Sequence, residues 1–146
     1  MRHLLILLSL FLFSFTIISC KSSDDGSTTT STELFVSVGD NGTILTSSDG
    51  TSWTERTSGT SNILMGVTYG NSTFVTVGYY GTILTSSDGI TWTERTSGTS
   101  KILMGVTYGN GLFVTVGPIG TILTSSDGTT WTERTSGTSR YLYGVT

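Results

Sequence analysis

Short runs of apolar and β-branched residues, separated by glycine-containing turns, recur along the chain after Glu33. In the second copy of the pattern, the runs span residues 63–69, 73–77, 82–85 and 91–96. The first two runs are apolar on both faces, whereas the fourth is polar apart from one tryptophan. Runs of this length and composition between turn signals predict strands. Each copy is therefore predicted to form a four-stranded antiparallel meander whose last strand faces water.

The pattern repeats with a period of 39 residues, which is marked by Trp53, Trp92 and Trp131. A fixed period in this range is typical of repeat architectures. Residues 34–146 are therefore predicted to be all-β, a propeller-like array of three four-stranded antiparallel blades. The alternative is a β-solenoid, although solenoid coils are usually shorter and lack a tryptophan on a polar outer strand.

The first and last copies differ from the middle one in complementary ways. Residues 34–38 correspond to a second strand with no innermost strand before them, and residues 141–146 correspond to an innermost strand. Because unpaired strand edges attract other chains, we expect the array to be incomplete or completed by oligomerisation. The last segment would supply the strand that the first blade lacks, and the hypothesis is a homodimer that forms a six-bladed ring. A truncated propeller fragment without independent activity is the alternative.

The N-terminus has the pattern of a secretory signal. A basic start at Arg2 precedes an apolar run over residues 4–18, which is short for a spanning helix. The run ends at Ser19–Cys20 and resembles the lipobox of bacterial lipoproteins, although Ile18 stands where a small residue is commoner. The resemblance implies a signal peptide over 1–19 and lipid on Cys20. Residues 20–33 would then be the lipidated cysteine and a flexible Ser/Thr-rich tether; an ordinary signal peptide is the alternative.

This N-terminus predicts a location in the bacterial cell envelope, with the protein anchored to the membrane through Cys20, at the outer membrane or on the periplasmic or cell surface. The formal net charge of −3 and the pI near 4.8 argue against a nucleic-acid partner, which would need a basic patch. Charged residues make up only 12% of the chain, so hydroxyl and amide groups must cover much of the surface.

Residues 47–53 (SSDGTSW), and their copies at 86–92 and 125–131, resemble the Asp-box (BNR) motif. This motif occurs in sialidase-type propellers and in photosystem II assembly factor Ycf48-like proteins, with one more residue between aspartate and tryptophan. The resemblance supports a propeller and gives each turn a structural role: the aspartate accepts backbone hydrogen bonds, the glycine allows a positive φ and the tryptophan packs on the blade. The residues are Asp49, Gly50 and Trp53; Asp88, Gly89 and Trp92; Asp127, Gly128 and Trp131.

Neither a metal nor a cofactor is expected, because one carboxylate per turn falls short of the six to eight oxygens that calcium takes. Sialidases hold their substrate with an arginine cluster, which invites comparison with Arg56, Arg95 and Arg134. These arginines are predicted on the outermost strands, whereas a sialidase site lies at the centre of one face. We expect them to be solvated or paired with glutamates across blades, and we do not expect an enzyme.

The copies differ most in two loops, which join the second strand to the third and the fourth strand to the next blade. In an antiparallel blade both loops lie on the same face. Tyrosine and arginine often carry binding energy at interfaces, so this surface is a candidate for binding, with drift in unconstrained loops as the alternative. We call it the recognition face, and it comprises Tyr79, Tyr80, Lys101, Arg140 and Tyr141.

The sequence thus predicts a membrane-anchored lipoprotein whose propeller-like domain binds or scaffolds an unidentified protein or glycan. A relative of sialidase-type glycoside hydrolases is the alternative among enzymes.

Overall fold

The computed structural model describes residues 34–146, which form three antiparallel sheets. The first sheet has three strands, β1 (Phe35–Val38), β2 (Ile44–Ser47) and β3 (Thr54–Arg56). The second has four, β4 (Leu64–Gly70), β5 (Thr73–Gly78), β6 (Ile83–Ser86) and β7 (Thr93–Arg95). The third also has four, β8 (Gly105–Gly109), β9 (Leu112–Val116), β10 (Ile122–Ser125) and β11 (Thr132–Arg134). Short 3-10 turns at Asp40–Gly42 and Tyr79–Gly81 join β1 to β2 and β5 to β6.

Each sheet is a meander in which sequence neighbours are hydrogen-bonded neighbours. The prediction of an all-β, propeller-like array of blades is confirmed, and the first blade has no innermost strand among the described residues. The solenoid alternative is wrong, because the strands pair antiparallel within each copy. The predicted signal peptide at 1–19, the lipid on Cys20 and the tether at 20–33 lie outside the described residues and stay predictions.

The outer strands are shorter than the sequence pattern predicts. The run at 91–96 forms a strand only over Thr93–Arg95. The amides of Ile90 and Thr91 both donate to Oδ1 of Asp88 at 2.8 Å. Thr91 therefore belongs to the preceding turn and not to the strand.

The hydrophobic core lies between the blades. One cluster joins the second and third blades and includes Val75, Ile83, Leu103 and Phe113, all fully buried. A second cluster joins Ile44 of the first blade to Leu64 and Leu84 of the second. Because each sheet buries its apolar side chains against its neighbour, a blade gains its stability from the next blade along the chain.

The end of the chain is not where an intramolecular ring would place it. Residues 141–146 form no strand, and none of them pairs with β1. The segment instead lies beside β8, where a Cβ on Gly105 would be 3.3 Å from Cα of Gly144. The expectation that the last segment supplies the missing strand is therefore wrong for the single chain.

Candidate recognition face

The loops that differ between the copies adopt one backbone shape in all three blades. Asn41, Tyr80 and Ile119 occupy the same repeat position, with φ of 54°, 55° and 55°. This left-handed conformation is uncommon outside glycine and costs most for a β-branched side chain such as Ile119. The turn is therefore set by its surroundings, while the side chain at its tip is free to differ.

These turns pack against the links that lead to the next blade. A Cβ added to Gly81 would collide with the carbonyl oxygen of Thr99, and Gly42 and Gly120 stand in the same relation to Thr60 and Thr138. Each of these glycines also has a positive φ, so no other residue fits there without strain. The two loop types thus lie at the same edge of every blade, as the recognition face requires.

The five residues of the recognition face form separate contacts. Tyr79 is half-buried and packs edge-on against Tyr80, with ring centroids 6.3 Å apart, and Tyr80 is 72% exposed. Nζ of Lys101 lies 3.5 Å from Oε1 of Glu133. Arg140 and Tyr141 are exposed, in the link that follows the third blade. The role of these residues in binding stays a prediction.

The structure adds an aromatic residue that the sequence comparison missed. Tyr143 is 73% exposed and stacks on Tyr141, with ring centroids 6.0 Å apart and ring planes at 26°. A signal was present, because Tyr143 stands where the other inner strands have Met65 and Met104.

Open polar grooves lie between the turns and the outer links. The groove in the first blade has a volume of about 560 Å³ and runs between Asn41 and residues 55–61. The groove in the third blade, of about 540 Å³, runs between Ile119 and residues 133–139. Both are lined largely by hydroxyl-bearing and glycine residues, so they can offer hydrogen bonds to an extended ligand.

The aspartate turns lie at the other edge of the blades. Oδ1 of Asp49 accepts the amides of Thr51 and Ser52, both at 2.8 Å, and the hydroxyl of Ser47 at 3.0 Å. The same bonds recur at Asp88 and Asp127, and the following glycines have φ of 72° to 75°. These geometries give the turns a structural task, since Oδ1 of each aspartate is engaged within its own turn.

These hydrogen bonds favour the ionised carboxylates. The amides of Thr91 and Ile90 lower the pKa of Asp88 to about 2, with a further contribution from the hydroxyl of Ser86. The pKa of Asp49 is lowered mainly by the amide of Ser52, and that of Asp127 mainly by the hydroxyl of Thr129. All three carboxylates are therefore charged at neutral pH.

The tryptophans that follow these turns differ in burial. Trp92 packs against the core between the first and second blades, and Trp131 against the core between the second and third. The indole nitrogens of both donate to the carbonyl of the glycine three residues earlier, at 3.1 Å and 3.0 Å. Trp53 is 43% exposed, because its blade has no preceding blade among residues 34–146.

The recurring arginines are held within their own blades. Nε of Arg56 donates to Oγ1 of Thr46 at 2.8 Å, and Arg95 and Arg134 make the same bond to Thr85 and Thr124. Of the two expected arrangements, pairing with glutamate across blades is not found among residues 34–146, whereas Arg134 is exposed to solvent. The ion pair found within the described part of the chain involves a lysine, Lys101, and Glu133.

Two further features bear on the kind of site. Within residues 34–146, no three His, Cys, Asp or Glu side chains form a group that could hold a metal ion. No helix in this range has the length and apolar character needed to cross a membrane.

Comparisons with known proteins bear on the fold. No protein-family model matches the chain, and no curated protein matches it. Among solved structures, YCF48 bound to a D1 peptide matches with a TM-score of 0.58 and 20% sequence identity. The match covers 67% of this chain and 34% of that chain, so the chain spans about a third of its neighbour. At this identity the likeness concerns the fold alone, which is that of a propeller.

Proposed function

We propose that the chain is a protein-binding propeller module that holds a segment of a partner protein on the recognition face. The observation that carries the proposal is the pair Tyr79 and Tyr80 at the edge of the second blade. Tyr80 presents its ring to solvent, and Tyr79 supports it by an edge-on contact. A large aromatic ring held in this way loses little conformational entropy on binding.

The turns that correspond to this pair in the first and third blades suit an extended polypeptide. The polar grooves beside those two turns offer hydroxyl and backbone groups to the peptide groups of a ligand. The structural neighbour was solved with a bound peptide, which supports this class of ligand.

The proposal includes no enzymatic activity. The repeated arginines are engaged with threonines of their own blades, on outer strands rather than at a common centre. A fluorogenic sialoside should therefore stay intact when it is incubated with the full chain, and its hydrolysis would favour the glycoside hydrolase alternative.

The proposal also keeps the bacterial cell envelope as the location, with lipid on Cys20 as the anchor. A module tethered there would meet its partner at the membrane surface. Scaffolding of an assembly is a form of the same activity, since it needs only stable binding.

Photocrosslinking tests the proposal directly. The full chain would carry a photoreactive phenylalanine analogue at Tyr80, or, as a matched control, at Ile90, which is 50% exposed at the opposite edge of the same blade. In native envelopes, we expect protein adducts at position 80 that the variant Tyr79→Ala abolishes. Equal adducts at positions 80 and 90 would contradict the proposal, and adducts that disappear on glycosidase treatment would indicate a glycan ligand.

A further inference from the structure

The inner edge of β1 has a hydroxyl group whose counterparts in the other two blades donate hydrogen bonds to the inner strand. In those blades, the hydroxyls of Thr76 and Thr115 donate to the carbonyls of Gly66 and Gly105 on the inner strand, at 2.9 Å and 2.8 Å. Both threonines are completely buried. Ser37 occupies the same repeat position in β1 and is exposed. The first blade therefore has the hydroxyl donor, but among the described residues it lacks the inner strand whose carbonyl would accept the hydrogen bond.

The backbone at the end of β1 shows the same difference. A Cβ on Gly78 or Gly117 would collide with the carbonyl oxygen of the residue that leads into the inner strand, Ile63 or Ile102. The corresponding Gly39 has no described atom within 4 Å of such a Cβ. Phe35, at the other end of β1, is 55% exposed, whereas its counterpart Phe113 is fully buried.

Residues 141–146 already lie in the position of an inner strand. The amide of Leu142 donates to the carbonyl of Gly117 at 3.1 Å. This repeats the bond that introduces each inner strand, from Leu103 to Gly78 at 2.9 Å. The segment shares the pattern Leu-x-Gly-Val-Thr with both inner strands.

We propose that β1 of one chain pairs with residues 141–146 of a second copy, and that the exchange is reciprocal. We apply the pairing of inner and second strands seen in the other blades, shifted by whole 39-residue repeats. It places Gly144 opposite Val38 and Val145 opposite Ser37. The hydroxyl of Ser37 then donates to the carbonyl of Gly144. Two such pairings give each first blade a fourth strand and join residues 34–146 of the two copies into a ring.

Charge complementarity supports a second copy as the occupant. Lys101 precedes an inner strand and pairs with Glu133 on the outer strand of the same blade. Arg140 stands one repeat after Lys101. In the first blade, to which Arg140 would be brought, the glutamate at the position of Glu133 is Glu55. The exchange thus brings Arg140 of one copy to Glu55 of the other.

The tryptophans are consistent with the same partner. Trp92 and Trp131 pack against the preceding blade, and Trp53 is the more exposed counterpart. In the ring, the third blade of the second copy precedes the first blade and would cover Trp53. The chain's own residues 21–32 are a poor alternative occupant, because they contain no large apolar side chain.

Disulfide trapping tests the exchange. The full chain in detergent carries Cys20→Ser, so that the introduced thiols are the only ones. One tagged copy carries Ser37→Cys, and a differently tagged copy carries Val145→Cys. Opposed residues of paired strands bring the two thiols within disulfide distance, so mixing and mild oxidation should give a linked heterodimer. The matched control replaces Val145→Cys with Thr130→Cys, an exposed position in the aspartate turn of the third blade.

Light scattering on the unlinked chain should give twice the monomer mass after correction for detergent. Arg140→Glu should weaken the dimer about two- to fivefold, and Glu55→Arg combined with it should restore the affinity. A monomer mass, equal linkage to positions 145 and 130, or linkage within one chain that carries both thiols would each overturn the proposal. None of these measurements involves a bound peptide, so their failure leaves the proposed function standing.

Discussion

The ring of Tyr108, on the inner strand of the third blade, lies directly over the backbone of Gly70 in the second. A Cβ on Gly70 would collide with the Cβ and ring atoms of Tyr108. Tyr108 also contacts Phe113 of its own blade, with ring centroids 4.7 Å apart. The φ of Gly70 is not in the left-handed region, so its backbone conformation does not require glycine. The packing between the blades does.

Gly70→Ala should lower the free energy of unfolding by about 1–3 kcal/mol, because the added methyl must displace a packed ring. Gly109→Ala is the matched control, since Gly109 holds the same repeat position with no described atom near the added carbon. It should change stability by less than about 0.5 kcal/mol. Urea denaturation followed by tryptophan fluorescence measures both. Equal losses in the two variants would show that the contact with Tyr108 is not the cause.

Trp92→Ala should destabilise the protein more than Trp53→Ala does. Trp92 is partly buried, packs against the core between two blades and also donates a hydrogen bond to the carbonyl of Gly89, whereas Trp53 is 43% exposed. We expect a loss of about 2–4 kcal/mol for Trp92 and less than half of that for Trp53. Thermal unfolding at a concentration where the chain is monomeric makes the comparison. The order of the two variants is the decisive result.

The aspartate turns predict acid sensitivity. The folded pKa of Asp88 is lowered from 3.8 to about 2, so its contribution to stability is fully present above pH 4 and is lost as the pH falls towards 2. Asp88→Asn should lower stability at pH 7 and weaken the pH dependence between 4 and 2. Glu94→Gln removes an exposed carboxylate of β7 and is the matched control for the loss of one charge. The midpoint of unfolding is measured at each pH. If it changes between pH 4 and 2 as steeply in Asp88→Asn as in the unchanged chain, the turn does not stabilise the charge.

Cys20→Ser should abolish lipid attachment. In a bacterial host, the unchanged chain should incorporate radiolabelled fatty acid and remain with the membranes after carbonate extraction, because buried acyl chains contribute about 0.8 kcal/mol per methylene. The variant should lose the label. The substitution Ser19→Ala is the control, since a small residue is kept before the cysteine. Labelling of Cys20→Ser would rule out this anchor.

Part of the site was predictable and part was not. The shared edge of the two variable loops follows from strand order alone, because alternate loops of an antiparallel meander lie at the same edge. The strand at 91–96 was overestimated, because the periodicity did not reveal that Asp88 would bind the amides of residues 90 and 91. The exposure of Tyr143 depends on what lies beside the last segment, which the repeat pattern does not encode.

By itself, the sequence determined the strands, their period and the offset of the copies, because these depend on local alternation and on turn residues such as Gly50 and Gly89. Only the tertiary structure decided which blade each tryptophan covers, that the arginines bind threonines, and that residues 141–146 lie beside β8 rather than β1. The physical reason is that these contacts depend on how one blade is rotated against the next. That rotation is set by side-chain packing between distant residues, such as Tyr108 over Gly70.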